Sequence, residues 1–260
     1  MNNNLFPSMS TSCVSPLGFQ APGLGGTDTC QWSPEEEMFG MGADIGHLLG
    51  GLMGGCESGM GASQPWGPEK RPMPQSPAQA QQNFMSQIPS KYNPTATSDN
   101  RNCGPASLAM AMKTLGVTPP GVNGGSNPQQ WINAVRQDMG AGSNQNSDTF
   151  LPQIQKGAQS AGLKSNVVHG ISGVNSALQQ GQPVLLCGDP SGYENKFSKS
   201  DYPRFNSGHW IMLNSEKNGQ YVVSDPMCKS GPFTLNQKQI QQFMGHDDWN
   251  TGVALSKSSD

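Results

Sequence analysis

NCGPASLAM, residues 102–110, sets a cysteine, a glycine and a proline directly ahead of an apolar run with helical spacing. Leu108, Met112 and Leu115 recur at one-turn intervals and Gly116 supplies a stop, so the spacing predicts a helix over 104–115. Pro105 suits the first turn of that helix, where its missing N–H leaves no bond unmade. Cys103 therefore falls at or just before the helix N-terminus. Unpaired backbone N–H groups and the helix dipole favour a thiolate over a thiol there, and an imidazolium nearby adds to the effect. A sulfur nucleophile needs that ionisation, and it needs a base from elsewhere in the chain.

Four histidines could supply the base: His47, His169, His209 and His246. His209 opens an apolar strand, whereas the others lie in low-complexity or loop-like sequence. The stretch GHWIMLNSEKNGQYVVSDP, residues 208–226, reads as two strands around an Asn218-Gly219 turn, which would carry Asp225 back alongside His209. Side chains alternate along a strand, so parity decides whether the two can meet. A five-residue connection, Ser215–Gly219, sets 209 opposite 225 on one face; a four-residue loop turns Asp225 away. The expectation is an odd loop count, or a bulge that restores the parity. A cysteine, a histidine and an orienting carboxylate then form a unit able to activate a thiol and support the imidazolium that results.

At these residues the chain resembles the bacteriocin-processing (double-glycine) peptidase family and its stand-alone bacterial relatives, within the papain-like cysteine peptidases. The likeness rests on NCGPASLAMAMKTLG followed by GHWIMLN and YVVSDP, with GISGVNSALQQGQPVLL as the helix-to-strand passage between them, and covers about residues 92–256. It implies an α+β, papain-like fold in which an N-terminal nucleophile helix packs on an antiparallel sheet. By position it assigns Cys103 as nucleophile, His209 as base and Asp225 as orienting acid, acting on a peptide or protein substrate without metal or cofactor. The family usually has a glutamine five or six residues before the nucleophile to complete the oxyanion hole. Here Thr97 and Ser98 hold those places, and Asn100 or Asn102 is expected to supply the donor beside the backbone N–H of Cys103.

The implied reaction is hydrolysis of a peptide or isopeptide bond through a thioester. Acyl transfer, as in transglutamination or glutamine deamidation, would use the same three residues. A binding or adaptor protein that has lost activity is the reading the departure at 97 and 98 would suit.

The rest of the chain is uneven. Residues 1–90 hold 14 glycines and 10 prolines, too little apolar surface to offset the entropy of ordering, and carry 7 acidic against 2 basic side chains; residues 91–260 carry 11 against 13. The expected division is a disordered Gly/Pro/Met-rich tail and linker over 1–90, ending in RPMPQSPAQAQQ, and a peptidase domain over 91–260. Neither part has the clustered basic stripe that a nucleic-acid surface requires. The six cysteines never form a CxxC pair, which argues against zinc, and Cys187 and Cys228 read as core filler. His246-Asp247-Asp248 does not converge on a metal and reads as a solvated loop. Ile45, Leu48, Leu49, Leu52 and Met53 form a stripe that would make a short helix on a partner, set against a low-complexity reading of the same glycine-rich residues.

No lysine or arginine precedes Lys70 and there is no 18-residue apolar run, so neither a secretory signal peptide nor a membrane span is expected. In composition the front segment resembles the uncleaved N-terminal export segments of bacterial effectors, type III substrates among them. That resemblance implies secretion without a cleavable signal into a host cell, and a secretion chaperone or docking partner for the tail; a cytoplasmic enzyme is the alternative. Within the domain, helices are expected around 128–139, 148–161 and 172–180, a buried strand at 183–187, a late helix capped by Thr234 or Asn236, and a closing strand at TGVALS.

Overall fold

The computed structural model describes residues 75–97, 100–123, 125–145, 147–190, 208–245 and 250–258. The first 74 residues of the expected tail, with the 45–53 stripe, His47, Cys13, Cys30 and Cys56, lie outside the described residues, as does the run His246-Asp247-Asp248.

The opening stretch forms α2 (Cys103–Thr114), one residue earlier than its spacing predicts. Every residue from Gly104 to Met112 is buried, so this helix is a core element on all sides rather than an amphipathic one. The small side chains of Ala106, Ala109 and Ala111 suit that position. Helices α3 (Pro128–Asp138) and α4 (Leu151–Ser160) cover one side, and the sheet lies on another.

Among the described residues six antiparallel strands make the sheet, in the order β1 (Leu163–His169), β6 (Thr251–Lys257), β2 (Val184–Gly188), β3 (His209–Lys217), β4 (Gln220–Ser224) and β5 (Phe233–Asn236). The closing strand is inserted between β1 and β2 and pairs with both, next to the edge of the sheet. Helix α5 (Gly170–Gln179) joins β1 to β2, and α6 (Gln237–Met244) follows β5. Of the two caps expected for α6, Asn236 is the one used: its side chain accepts from the Gln239 N–H and Gln239 reaches back to the Asn236 N–H. The α+β class expected from the sequence is the class observed, with α2 packed on an antiparallel sheet.

The hairpin settles the parity question. Lys217 pairs with Gln220, so the connection is the two-residue Asn218-Gly219, with φ of 55° and 72°, the pair of positive values a tight hairpin turn requires. An even loop alone would put His209 and Asp225 on opposite faces. The register then shifts between Leu213 and Ser215, leaving Asn214 as an extra residue on β3. Beyond that bulge Met212 pairs with Ser224. Continuing the count sets Asp225 opposite Ile211, two places from His209 and on its face. The bulge is held by Asn214 itself, whose Nδ2 donates to the Ser224 hydroxyl at 2.9 Å and the Val222 carbonyl at 3.3 Å.

Ordered structure is also present ahead of the boundary expected near residue 90. The stretch read as a Pro/Gln linker forms α1 (Pro77–Asn83), with Ser76 as N-cap, Pro77 in the first turn and Gln79 closing a capping box. Behind it Ala80, Phe84, Met85 and Ile88 are buried, and Phe84 and Met85 join the main core. Burying Phe84, Met85 and Ile88 is worth about 1.5–3 kcal/mol apiece, a large share of the roughly 5–15 kcal/mol that holds a domain together. A chain beginning at Gln75 should therefore unfold in urea as one cooperative transition, and a chain beginning at Lys91 should lose several kcal/mol or fail to fold. Equal midpoints for the two would contradict this packing.

Candidate active site

Cys103 is the first residue of α2, His209 the first of β3, and Asp225 follows the last residue of β4. The three are brought together by ties between those elements. Ser107, one turn along α2 from Cys103, donates its hydroxyl to the Trp210 carbonyl at 3.1 Å, which seats that face of the helix on the start of β3. The Trp210 indole donates to the Thr149 carbonyl at 2.9 Å, and Thr149 in turn presses on Gly104. A Cβ at position 104 would lie 2.5 Å from the Thr149 methyl, closer than side chains pack. The glycine of the opening stretch is thus required by close approach, and the proline by the helix start.

His209 and Asp225 are buried, at 1% and 0% exposure, and the His209 Nε2 lies 2.7 Å from Asp225 Oδ1. The same carboxylate oxygen accepts the Met227 N–H at 2.8 Å, which fixes its direction. Nε2 is thus taken by Asp225, and Cys103 lies near enough for its side chain to act on the same imidazole. Burial works against a charged imidazole, but the charge and hydrogen bond of Asp225, joined by those of Cys103, outweigh it and push the His209 pKa up to about 10. The arrangement can hold a proton between a thiol and a carboxylate near neutral pH. Cys103 is half-buried, whereas Cys228 is buried beside Ser230, and desolvation pushes its thiol up. Cys228 fits the filler reading. Cys187, expected to be filler too, is instead disulfide-bonded. His169 is exposed at the end of β1, apart from this cluster.

Asn100 does not have the geometry expected of an oxyanion donor. Its Nδ2 donates to the Thr97 carbonyl at 2.6 Å and the Gln87 carbonyl at 2.8 Å, which uses both amide hydrogens on the loop. Asn102 donates to the Gln145 side chain at 3.3 Å. The side chain that the spacing argument missed is Gln87. It is 3% exposed, its backbone N–H donates to the Pro226 carbonyl at 2.8 Å, and so it stands beside the Asp225-Pro226 corner. Its Nε2 makes long contacts of 3.3 Å to the Asn100 carbonyl and 3.4 Å to Asn100 Oδ1, and its Oε1 has no partner. Gln87 precedes Cys103 by 16 positions rather than five or six, and the loop between them folds back through the Ser90–Asn93 bridge. The signal available was a lone glutamine inside the apolar run FMSQI.

A raised His209 pKa has a sign. In the unfolded chain the group titrates near 6.5; in the folded protein its protonated form persists to about 10. The stability it contributes is fully present below about pH 6.5 and is lost as pH rises through about 10. Urea midpoints should accordingly fall more between pH 6 and pH 10 in the native protein than in Asp225→Asn, where the main attraction is gone. Parallel decline in the two would contradict the pairing.

Solved structures similar to this chain include the peptidase domain of Streptococcus ComA, a bi-functional ABC transporter involved in a quorum sensing pathway, at 17% identity over 67% of this chain and 98% of that one, with a TM-score of 0.43. A C39-like peptidase from Bacillus anthracis is similar at 13% identity over 68% and 95%, TM-score 0.47. A double glycine motif protease from an AMS/PCAT transporter, solved with the leader peptide, is similar at 15% identity over 67% and 95%, TM-score 0.40. No curated protein matches the chain significantly. The model of the Peptidase_C39 like family matches residues 77–251. With that match running from the first residue of α1 to the first residue of β6, across more than half of the sequence, the chain belongs to the Peptidase_C39 like family.

Proposed function

We propose that the protein is a cysteine peptidase that cleaves a peptide or isopeptide bond through a thioester on Cys103. The observation that carries this reading is the buried His209–Asp225 pair, at 2.7 Å, with Cys103 close enough to act on the imidazole. In the first step the Cys103 thiolate adds to the scissile carbonyl. His209, protonated and held by Asp225, passes its Nδ1 proton to the departing amine, and the thioester remains. Water then attacks the thioester, giving its proton back to His209 as the Cys103 sulfur leaves. Asp225 keeps the ring in place and offsets its charge throughout.

The developing oxyanion needs donors, and the backbone N–H of Cys103 at the helix start is one. Gln87 is the second in this reading. Its buried place beside the Asp225-Pro226 corner supports it, as do the length of its contacts to Asn100 and the family resemblance, which calls for a glutamine in that role.

Cys103→Ala and His209→Ala should each abolish turnover of a peptide-library substrate; the urea midpoint should stay near the native value in Cys103→Ala and fall in His209→Ala, which leaves Asp225 buried without its partner. Asp225→Asn should lower activity without leaving it at the native level, since an amide orients the ring yet cannot balance its charge. Gln87→Ala should cost about 100–1000-fold in kcat. The products tell hydrolysis from its rival: a new carboxylate and amine pair supports peptidase action, and ammonia release indicates glutamine acyl transfer. Native turnover in the Cys103 variant would overturn the proposal.

A further inference from the structure

Arg136, on α3, is a buried cation that the chemistry above does not use. It is 1% exposed, and its hydrogen-bond partners are neutral: Nη1 donates to Asn102 Oδ1 at 3.0 Å, while Nη2 donates to the Asn144 carbonyl, to the Ser147 carbonyl at 2.8 Å and to the Ser147 hydroxyl at 2.6 Å. Its Nε is buried without a partner. Asp148 attracts it but is itself bonded to Arg101 at 2.7 Å. A guanidinium buried among neutral groups is costly unless an anion lies close by.

The bond to Asn102 also alters what α2 offers. An asparagine at the N-cap ordinarily turns its side-chain oxygen onto the N–H of the second or third helical residue. Here the third is Pro105, which has no N–H, and Arg136 holds the Asn102 oxygen, so no side chain caps the helix. The N–H groups of Cys103 and Gly104 are thereby left facing the space ahead of the helix, where the acyl oxygen of a substrate bound to Cys103 would lie.

We propose that Arg136 is a positioning residue for Cys103: it holds Asn102 off the helix cap, keeping two backbone donors open to the oxyanion, and sets a buried positive charge behind the thiolate. The inference rests on the reading of Cys103 as the nucleophile. The charge coupling runs both ways across the site. Burial lowers the Arg136 pKa from its ordinary range, and the charges of Cys103 and Asp148 push it back up. The groups that act on Cys103 are then His209 from β3, Asp225 through His209, and Arg136 from α3, with Asp148 offset by Arg101.

The test needs no substrate. In the full chain, the rate at which iodoacetamide labels Cys103 is followed by mass spectrometry of the Cys103 peptide at pH 6.5 and pH 9.5, with near-ultraviolet dichroism to confirm folding. Arg136→Gln should label about 10-fold more slowly at pH 6.5 and within about twofold of the native rate at pH 9.5, above the ordinary thiol range of about 8.5. Arg136→Lys, which keeps the charge, should stay within about threefold at both. Should the glutamine variant not fold, Arg136→Met carries the same comparison. A folded neutral variant that labels at the native rate at pH 6.5 would overturn the role of Arg136. Native Cys103 labelling no faster than in urea would instead overturn the nucleophile reading beneath it.

Discussion

A carboxylate and an imidazole, both sealed from water, meet at 2.7 Å where β3 begins and β4 ends. Placing two ionisable groups in a dry interior is costly, and only close geometry with every other bond satisfied makes it tolerable. The surrounding structure meets that demand piece by piece. The Met227 N–H fixes the carboxylate, and the Asn214 bulge returns Asp225 to the face of His209 after an even-numbered turn. The Trp210 and Ser107 bonds hold the start of β3 against α2. The bulge is the least conspicuous of these and the most consequential, because a perfectly regular hairpin with the same turn would point the two side chains apart.

The second constraint sits at the helix start. Gly104 makes room for Thr149, Pro105 starts the helix without needing a partner, and Asn102 is held by Arg136 instead of by the helix. Arg101 and Asn102 are further bound to the segment around Gln145 and Asp148, through the Arg101 N–H on the Gln145 carbonyl at 2.7 Å and the Arg101–Asp148 ion pair. The end of α2 that carries Cys103 is thus fixed by contacts from α3 and from the segment after it. In the proposed reaction a sulfur held this way loses little freedom when a substrate arrives, which is where much of the advantage of a preorganised site lies.

Much of the fold could be read along the chain wherever the information is local. The α2 stretch carries its own start and stop, the Asn218-Gly219 pair marks its turn, and the hydrophobic runs of β2 and β3 are continuous because both faces are buried. The edge strand β1 was not legible, since LKSNVVH alternates weakly and pairs with a segment more than 80 residues away. Helix α1 was hidden by composition: Pro and Gln in RPMPQSPAQAQQ suggest a linker, while Ser76, Pro77 and Gln79 at cap, first and third positions specify a helix start. That one misreading also concealed Gln87, which fell on the wrong side of the expected boundary. Arg136 could not have been found from sequence, because nothing within α3 distinguishes a buried arginine from a surface one until the segment holding Asn144 and Ser147 closes over it.

The central claim is that His209 is held as an imidazolium between Asp225 and Cys103. Nitrogen NMR of the histidine side chains in the full chain reads that state directly, with His209→Gln to assign the resonance. The account requires both ring nitrogens of His209 to remain protonated at pH 8 and to titrate only near pH 10. A His209 ring that is neutral at pH 8, titrating near 6.5 like a solvated histidine, would contradict it.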